Sequence, residues 1–149
     1  MDRSSKISPY LVIDGAKAAI DWYVEVLGAE SFGVFTMPET DVVLNAALKL
    51  GDTNFMVMDE FPEHGSVGPK KLGGSPVTLH IDSDNVDADW ERIVAGGAEV
   101  TMPLDNMFWG ARYGMFRDPF GHKWSIGQQI SNPTQEEMTQ AMMDSSEPK

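Results

Sequence analysis

The stretch Asp105-Asn-Met-Phe-Trp-Gly-Ala-Arg-Tyr-Gly-Met-Phe-Arg-Asp-Pro-Phe-Gly-His-Lys-Trp-Ser125 decides the fold, because it encodes two β-strands joined by a tight turn. Asp118-Pro119-Phe120-Gly121 has the composition of a β-turn, in which Pro fixes its own φ and Gly accepts a positive φ. Residues 113–117 lead into this turn and residues 122–127 lead out of it. The sequence therefore predicts a β-hairpin near the end of the chain.

The composition describes a small acidic globular protein. Its 149 residues suffice for one compact domain or for two small repeated modules. The formal net charge of −12 repels phosphate groups, so we expect neither nucleic acids nor anionic membranes as partners. The absence of cysteine excludes disulfides and cysteine–metal sites. Because the sequence shows no signal peptide and no apolar run of about 20 residues, we expect a cytoplasmic protein.

Three short motifs occur twice in the chain at nearly constant spacing. They are Leu11-Val-Ile-Asp14 with Leu79-His-Ile-Asp82, Asp21-Trp22 with Asp89-Trp90, and Gly28-Ala-Glu30 with Gly97-Ala-Glu99. The first two pairs are offset by 68 residues and the third by 69. Such a period indicates duplication of one supersecondary unit. This alignment makes Val12 the counterpart of His80, and Tyr10 the counterpart of Thr78.

Each copy follows the order βαβββ. In the first copy a strand over residues 7–13 precedes an amphipathic helix that Gly28 ends. In the second copy Asp84 or Asn85 caps the corresponding helix. The predicted buried stripes of the two helices are Ala16, Ala19, Ile20, Tyr23, Val24 and Leu27 in the first, and Val86, Trp90, Ile93 and Val94 in the second.

The pattern divides the chain into four segments. We predict a first βαβββ module at residues 7–59 and an exposed linker at residues 60–75, which is rich in Pro, Gly and Lys. The second βαβββ module follows at residues 76–128. The polar remainder at residues 129–149 is predicted to contain at most a short helix.

Several of these motifs resemble the vicinal oxygen chelate superfamily, which contains glyoxalase I, bleomycin-resistance proteins and extradiol dioxygenases. The resemblance covers residues 7–128 and points to the PhnB-like branch through Ile7-Ser-Pro-Tyr-Leu11, Asp21-Trp-Tyr-Val-Glu-Val-Leu-Gly-Ala-Glu30 and Met107-Phe-Trp-Gly110. It implies an α+β fold, in which two βαβββ modules form a curved mixed sheet around a ligand-binding cleft. It also implies a homodimer.

The resemblance further implies where a metal would lie, because glyoxalase-like enzymes take one ligand from the first and last strand of each module. The matching positions here are Ser8, Phe55, Pro76 and Ser125. None of them is His, Asp or Glu, the side chains that catalytic divalent metals prefer. We therefore expect neither a metal nor another cofactor.

The residues expected to line the cleft surround His80. Strand alternation puts His80 on the same face as Thr78, and the repeat adds Tyr10 and Val12 from the first module. The aromatic rings just before the hairpin, beside the Arg112 guanidinium, can hold a flat or anionic ligand. The predicted ligand contacts are Tyr10, Val12, Thr78, His80, Trp109, Arg112, Tyr113 and Ser125, with His80 as the candidate catalytic residue.

Two alternatives stay open at this point. Arg112 can instead pair with one of the many surface carboxylates, and His80 can be a cleft-wall residue that is hydrogen-bonded to a threonine or to the backbone. The sequence contains no Gly-x-Ser-x-Gly motif, so it does not predict a Ser-His-Asp triad.

Three functions fit these features. The first is a metal-independent protein that binds and sequesters a small flat or aromatic molecule, in the manner of a bleomycin-resistance protein. The second is a metal-dependent lyase, isomerase or dioxygenase whose relocated ligand set includes His80. The third is a metal-free enzyme in which His80 is the general acid or base.

Overall fold

The computed structural model describes residues 4–145, and the chain in it divides into two compact units. The first unit contains residues 4–76 together with Asp118–His122, and the second contains Val77–Arg117 together with residues 123–145. Within the described residues, no helix is long and apolar enough to span a membrane.

The first unit contains one four-stranded mixed sheet and a helix packed on it. Its elements are β1 (Tyr10–Ile13), α1 (Ala16–Leu27), β2 (Glu30–Thr36), β3 (Val43–Leu50) and β4 (Thr53–Asp59). The strand order is β1-β4-β3-β2, with β1 parallel to β4 and the other pairs antiparallel. This confirms the predicted βαβββ order of the first module.

Helix α1 forms because its apolar residues recur at helical spacing and face the sheet. Tyr23 is fully buried and packs edge-on against Phe55 of β4, with ring centroids 5.7 Å apart. Gly28 ends the helix in the left-handed conformation and donates its N–H to the Tyr23 carbonyl, as predicted. One predicted stripe residue is wrong, because Val24 is exposed and Val26 is buried in its place.

The segment after β4 is more ordered than the predicted exposed linker. It contains a 3-10 turn at Pro62–His64 and the short helix α2 (Pro69–Leu72). Pro69 is buried, and the Gly68 N–H donates to Glu60 Oε2 at 2.6 Å. The high Pro and Gly content indicated a connecting segment between the two modules. It gave no information about the short helices or about these contacts.

The second unit repeats the architecture of the first. Its elements are β5 (Thr78–Asp82), α3 (Val86–Ala95), β6 (Glu99–Asn106), β7 (Ala111–Arg117), β8 (Lys123–Gln129) and α4 (Gln135–Ser145). The strand order is β5-β8-β7-β6, again with one parallel pair. The α+β class and both βαβββ modules are thus confirmed, with a separate sheet in each module. In the second helix Val94 is exposed rather than buried.

The two modules also start their helices in the same way. In the first, Asp59 Oδ1 accepts the Ala16 N–H at 2.9 Å. In the second, Gln128 Oε1 accepts the Val86 N–H at 3.0 Å. Of the two predicted caps, Asp84 and Asn85, it is the Asn85 side chain that accepts the Ala88 N–H. A side chain at the end of the last strand therefore satisfies an otherwise unpaired donor at each helix start.

Candidate functional site

The face of the second sheet opposite α3 carries the candidate site, and we call it the open face. Trp90 of α3 packs against Phe116 of β7, with ring centroids 6.2 Å apart, so Phe116 points toward the helix. Because side chains alternate along a strand, Tyr113 and Met115 point the other way. The pairing of β7 with β8 and of β8 with β5 then places Ser125 and His80 on the open face as well.

His80 is held on the open face by two hydrogen bonds. Its Nδ1 lies 2.8 Å from Ser125 Oγ, and its Nε2 lies 3.1 Å from Asp82 Oδ1. Ser125 is buried, whereas the His80 side chain is 43% exposed and that of Asp82 is 98% exposed. The imidazole is thus fixed in orientation and still reachable from solvent. Its partners are a serine and an aspartate rather than the predicted threonine or backbone.

Aromatic rings extend from His80 along the open face, and we call this set the aromatic surface: His80, Phe108, Trp109 and Tyr113. The Tyr113 ring stacks on His80 with centroids 5.9 Å apart and planes 25° from parallel. Trp109 meets Tyr113 edge-to-face at 5.5 Å, and Phe108 meets Trp109 in the same way at 5.1 Å. Phe108 and Trp109 are exposed, so solvent-accessible aromatic area is continuous with an anchored histidine.

A short turn fixes the exposed end of the aromatic surface. The Gly110 N–H donates to the Met107 carbonyl at 3.0 Å, and the Ile130 and Ser131 N–H groups donate to the Gly110 carbonyl. The Gln129 side chain adds a bond to the Trp109 carbonyl at 3.2 Å. These bonds hold the backbone beside Trp109, and the edge-to-face contacts with Phe108 and Tyr113 orient its indole.

Arg112 does not belong to the aromatic surface. It lies on the face of β7 that carries Phe116, because both are an odd number of residues from Tyr113. Its Nε donates to Asp87 Oδ1 at 2.9 Å and its Nη1 donates to Asn106 Oδ1 at 3.1 Å. The structure therefore favours the alternative in which Arg112 pairs with a carboxylate, and it corrects the prediction that the guanidinium stands beside the rings.

Of the remaining predicted contacts, Thr78 shares the open face with His80, and the other two lie in the first unit. Thr78 is exposed on β5, two residues before His80 and on the same face.

Tyr10 and Val12 belong to the first unit. The Tyr10 hydroxyl donates to the Leu44 carbonyl at 3.2 Å, and the Val12 carbonyl accepts from His122 Nε2 at 3.0 Å. The structure thus brings together His80, Trp109, Tyr113 and Ser125, and it adds Asp82 and Phe108, which sequence reasoning missed.

Comparison with known proteins gives the family. The family model described as Glyoxalase/Bleomycin resistance protein/Dioxygenase superfamily matches residues 7–126, most of the chain. The chain belongs to this superfamily. The match confirms the resemblance drawn from the repeated motifs and the hairpin.

Several individual proteins are similar to this one over most of its length. An uncharacterized protein of Mycobacterium bovis is 39% identical over 91% of this chain and 91% of its own length. The crystal structure of PA1353 from Pseudomonas aeruginosa has 28% identity and a TM-score of 0.70, covering 86% of this chain and 100% of that one. TnmS3, an antibiotic binding protein from Streptomyces sp. CB03234, shares the fold at 24% identity and a TM-score of 0.59, covering 86% and 99%.

The superfamily metal positions can now be located in this fold. Ser8 and Pro76 precede β1 and β5, and Phe55 faces α1 rather than the open side of its sheet. Asp59 and Gln128 are equivalent, because each accepts the N–H of the first helical residue in its module. Counting back three residues from each makes Met56, rather than Phe55, the counterpart of Ser125. Among the residues that the structure describes, no group of three or more His, Asp or Glu could hold a metal ion.

The strand register corrects the alignment of the two repeats. Tyr10, not Val12, is the counterpart of His80, because each pairs with the equivalent residue of the last strand in its module. The offset is 70 residues at the first strands and the helix starts, and it falls to 68 at the helix ends because α3 has 10 residues and α1 has 12. The Asp-Trp motifs therefore correspond when counted from the helix ends. The Leu11 and Leu79 motifs, which precede the helices, match in sequence without matching in position.

Proposed function

We propose that this superfamily member binds a small flat or aromatic molecule on the aromatic surface, without the superfamily metal. The observation that carries the proposal is the continuous, partly exposed chain of rings from Phe108 to His80. Flat molecules stack favourably on such rings, and the fixed turn at Gly110 lets Trp109 bind without a large loss of side-chain freedom.

The family context supports a binding role. The superfamily description includes bleomycin-resistance proteins, and TnmS3 is described as an antibiotic binding protein. TnmS3 supports the proposal only through the shared fold. The residues present also fit a metal-free site better than a metal site, because His80 is already engaged by Ser125 and Asp82.

Removal of either exposed ring is expected to weaken binding. We expect Trp109→Ala and Tyr113→Ala each to raise the Kd for acridine, a flat three-ring probe, by about 5- to 100-fold, since a stacking ring contributes about 1–3 kcal/mol. Isothermal titration calorimetry measures this change. Leu72→Ala is the control, because it removes an exposed apolar side chain of α2 that lies outside the aromatic surface.

Two results would contradict the proposal. One is a lack of acridine binding to the unmodified protein. The other is an equal loss of affinity in Leu72→Ala and in the two aromatic variants, which would indicate nonspecific adhesion to apolar surface.

One observation favours a second candidate function, a metal-free enzyme that uses His80 as acid or base. An exposed imidazole held between a hydroxyl and a carboxylate can exchange a proton with a bound molecule. Ser125 is not the nucleophile in this candidate, because the residue is 2% exposed and lies inside a strand. A His80→Ala variant separates the two functions: an enzyme keeps the bound compound but no longer converts it, as mass spectrometry would detect.

We also propose that the chain forms a homodimer through β2, one of the two edge strands of the first sheet. Phe32 and Phe35 on this strand are 61% and 65% exposed, and unprotected apolar edge strands favour pairing with another chain. Light scattering should give twice the mass of one chain, and Phe35→Glu should return the single-chain mass. Leu72→Glu, an equally exposed position, should stay dimeric; a monomeric unmodified protein would overturn the proposal.

A further inference from the structure

The strand register places Tyr113 in a row that crosses the open face of the second sheet. Asp82 pairs with Gly127, Gly127 with Tyr113, and Tyr113 with Asp105. Because neighbouring strands lie about 4.8 Å apart, this row of four residues spans about 14 Å. We call it the Tyr113 row.

Because Gly127 has no side chain, the rings of Tyr113 and His80 occupy the middle of the Tyr113 row. A Cβ atom at this position would lie 3.3 Å from Tyr113 Cδ2 and 3.5 Å from His80 Cε1. The two rings therefore close over the glycine, and no third side chain interrupts them. The row consequently consists of a stacked aromatic centre with one carboxylate at each end.

Both carboxylates face solvent. The Asp82 side chain is 98% exposed, and only its Oδ1 is within reach of His80 Nε2. Asp105 is also exposed, and its Oδ1 accepts the N–H of the adjacent Asn106. Each group is placed to meet a positive charge on a molecule that lies across the rings.

The basic side chains of the second sheet lie too far away, or on the wrong face, to neutralise the carboxylates of Asp82 and Asp105. Arg112 is on the opposite face of β7 and is paired with Asp87. Arg117 and Lys123 pair with each other on the open face, and each lies four residues along its strand from the Tyr113 row, or about 13 Å. That separation exceeds the screening length of about 8 Å at physiological ionic strength. Arg117 is also paired with Glu99 at 3.6 Å.

We propose that the flat molecule bound by the aromatic surface is a cation, such as an aromatic amine or a charged heteroaromatic ring. The inference rests on the proposed function and reverses the anionic preference that Arg112 suggested. Two further effects act in the same direction: aromatic faces attract cations, and the net charge of −12 attracts them at long range.

Two probes with the same ring system and opposite charge test the inference. We expect 9-aminoacridine, a cation, to bind at least about tenfold more tightly than acridine-9-carboxylate, an anion. A charge midway along the row lies about 7 Å from each carboxylate, so in water each carboxylate strengthens binding of the cation and weakens binding of the anion by about two- to threefold. Asp82→Asn and Asp105→Asn should therefore each weaken 9-aminoacridine binding by about two- to threefold. Asp52→Asn, which removes the same charge from an exposed turn of the first unit, should change it little.

The outcomes of the calorimetric titration are distinguishable. Equal affinity for both probes, or an Asp52→Asn effect as large as the other two, would overturn the cation preference and leave the aromatic surface as the binding site. Tighter binding of the anion would overturn it as well. Failure of neutral acridine and of both charged probes to bind would overturn the proposed function itself.

Discussion

Asp118→Ala is expected to lower the free energy of unfolding by about 3–5 kcal/mol, because it removes the acceptor of a buried hydrogen-bond group. Asp118 is 3% exposed, and its Oδ2 accepts the hydroxyl of the fully buried Tyr23 at 2.6 Å. Its Oδ1 accepts the N–H groups of Phe120 and His122 at 2.9 and 3.0 Å. The substitution therefore deprives three donors of this partner at once.

Urea unfolding followed by circular dichroism measures this loss of stability. Two further variants separate the contribution of the Tyr23 hydroxyl from that of the turn N–H groups. Tyr23→Phe removes only the hydroxyl and should cost about 1–2 kcal/mol. Asp118→Asn keeps an oxygen for the two turn N–H groups, so its cost should fall between those of the other two variants. An Asp118→Ala protein no less stable than Tyr23→Phe would show that the turn does not depend on the carboxylate.

The same pair gives a pH dependence with a definite sign. Burial raises the pKa of Tyr23 well above its usual value of 10.0, and the Asp118 charge and hydrogen bond raise it further. The folded state therefore holds the Tyr23 proton when the unfolded chain loses it. The stabilisation is complete below pH 10 and declines as the pH rises above that value, and the stability of Tyr23→Phe should decline less over this alkaline range.

Gly110→Ala should destabilise the second unit by about 3–4 kcal/mol and weaken ligand binding. Gly110 has φ of 93°, where an L-residue costs about 1–2 kcal/mol. An added Cβ would also press against the Ser131 carbonyl oxygen and lie 2.6 Å from Pro133 Cδ. Because the Ser131 oxygen belongs to the main chain, a side-chain rotation cannot relieve this contact. The overpacking therefore adds about 1–3 kcal/mol to the backbone strain.

Gly97→Ala is a matched control for this prediction. Gly97 has φ of 92° and no atom within 4 Å of an added Cβ, so its substitution introduces the same backbone strain without the clash. Urea unfolding should separate the two variants by about 2 kcal/mol. The acridine Kd should rise only for Gly110→Ala, because only that turn positions Trp109. Equal stability of the two variants would contradict the steric argument.

Local chemistry made much of this fold predictable. The turn at Asp118–Gly121 followed from Pro119 and Gly121, whose backbone preferences do not depend on distant residues. The end of α1 at Gly28 followed for the same reason, and the cap of α3 was narrowed to Asp84 or Asn85, of which the structure has Asn85. The alternation of side chains along β5 and β8 also predicted that His80 and Ser125 share one face, and the register pairs them directly.

The candidate site was predictable only where strand alternation sufficed. His80 and Ser125 could be assigned to one face, whereas Tyr113 was predicted only as a ring near the hairpin. Arg112 could not be excluded, because its salt bridge joins residues 25 positions apart. Asp82 and Asp105 did not stand out among 23 acidic residues, since only the register across four strands places them at the ends of one row. The bond between Tyr23 and Asp118 spans 95 positions and left no local signal.

The sequence by itself determined the helix and the strands of each module, the duplicated βαβββ order and the superfamily, because helix spacing, strand alternation and turn residues act over a few neighbouring positions. Only the tertiary structure decided which repeat positions correspond, which face Arg112 occupies and which charges flank the aromatic surface. Those properties depend on the hydrogen-bond register between strands, in which a shift of one residue moves a side chain to the opposite face of the sheet.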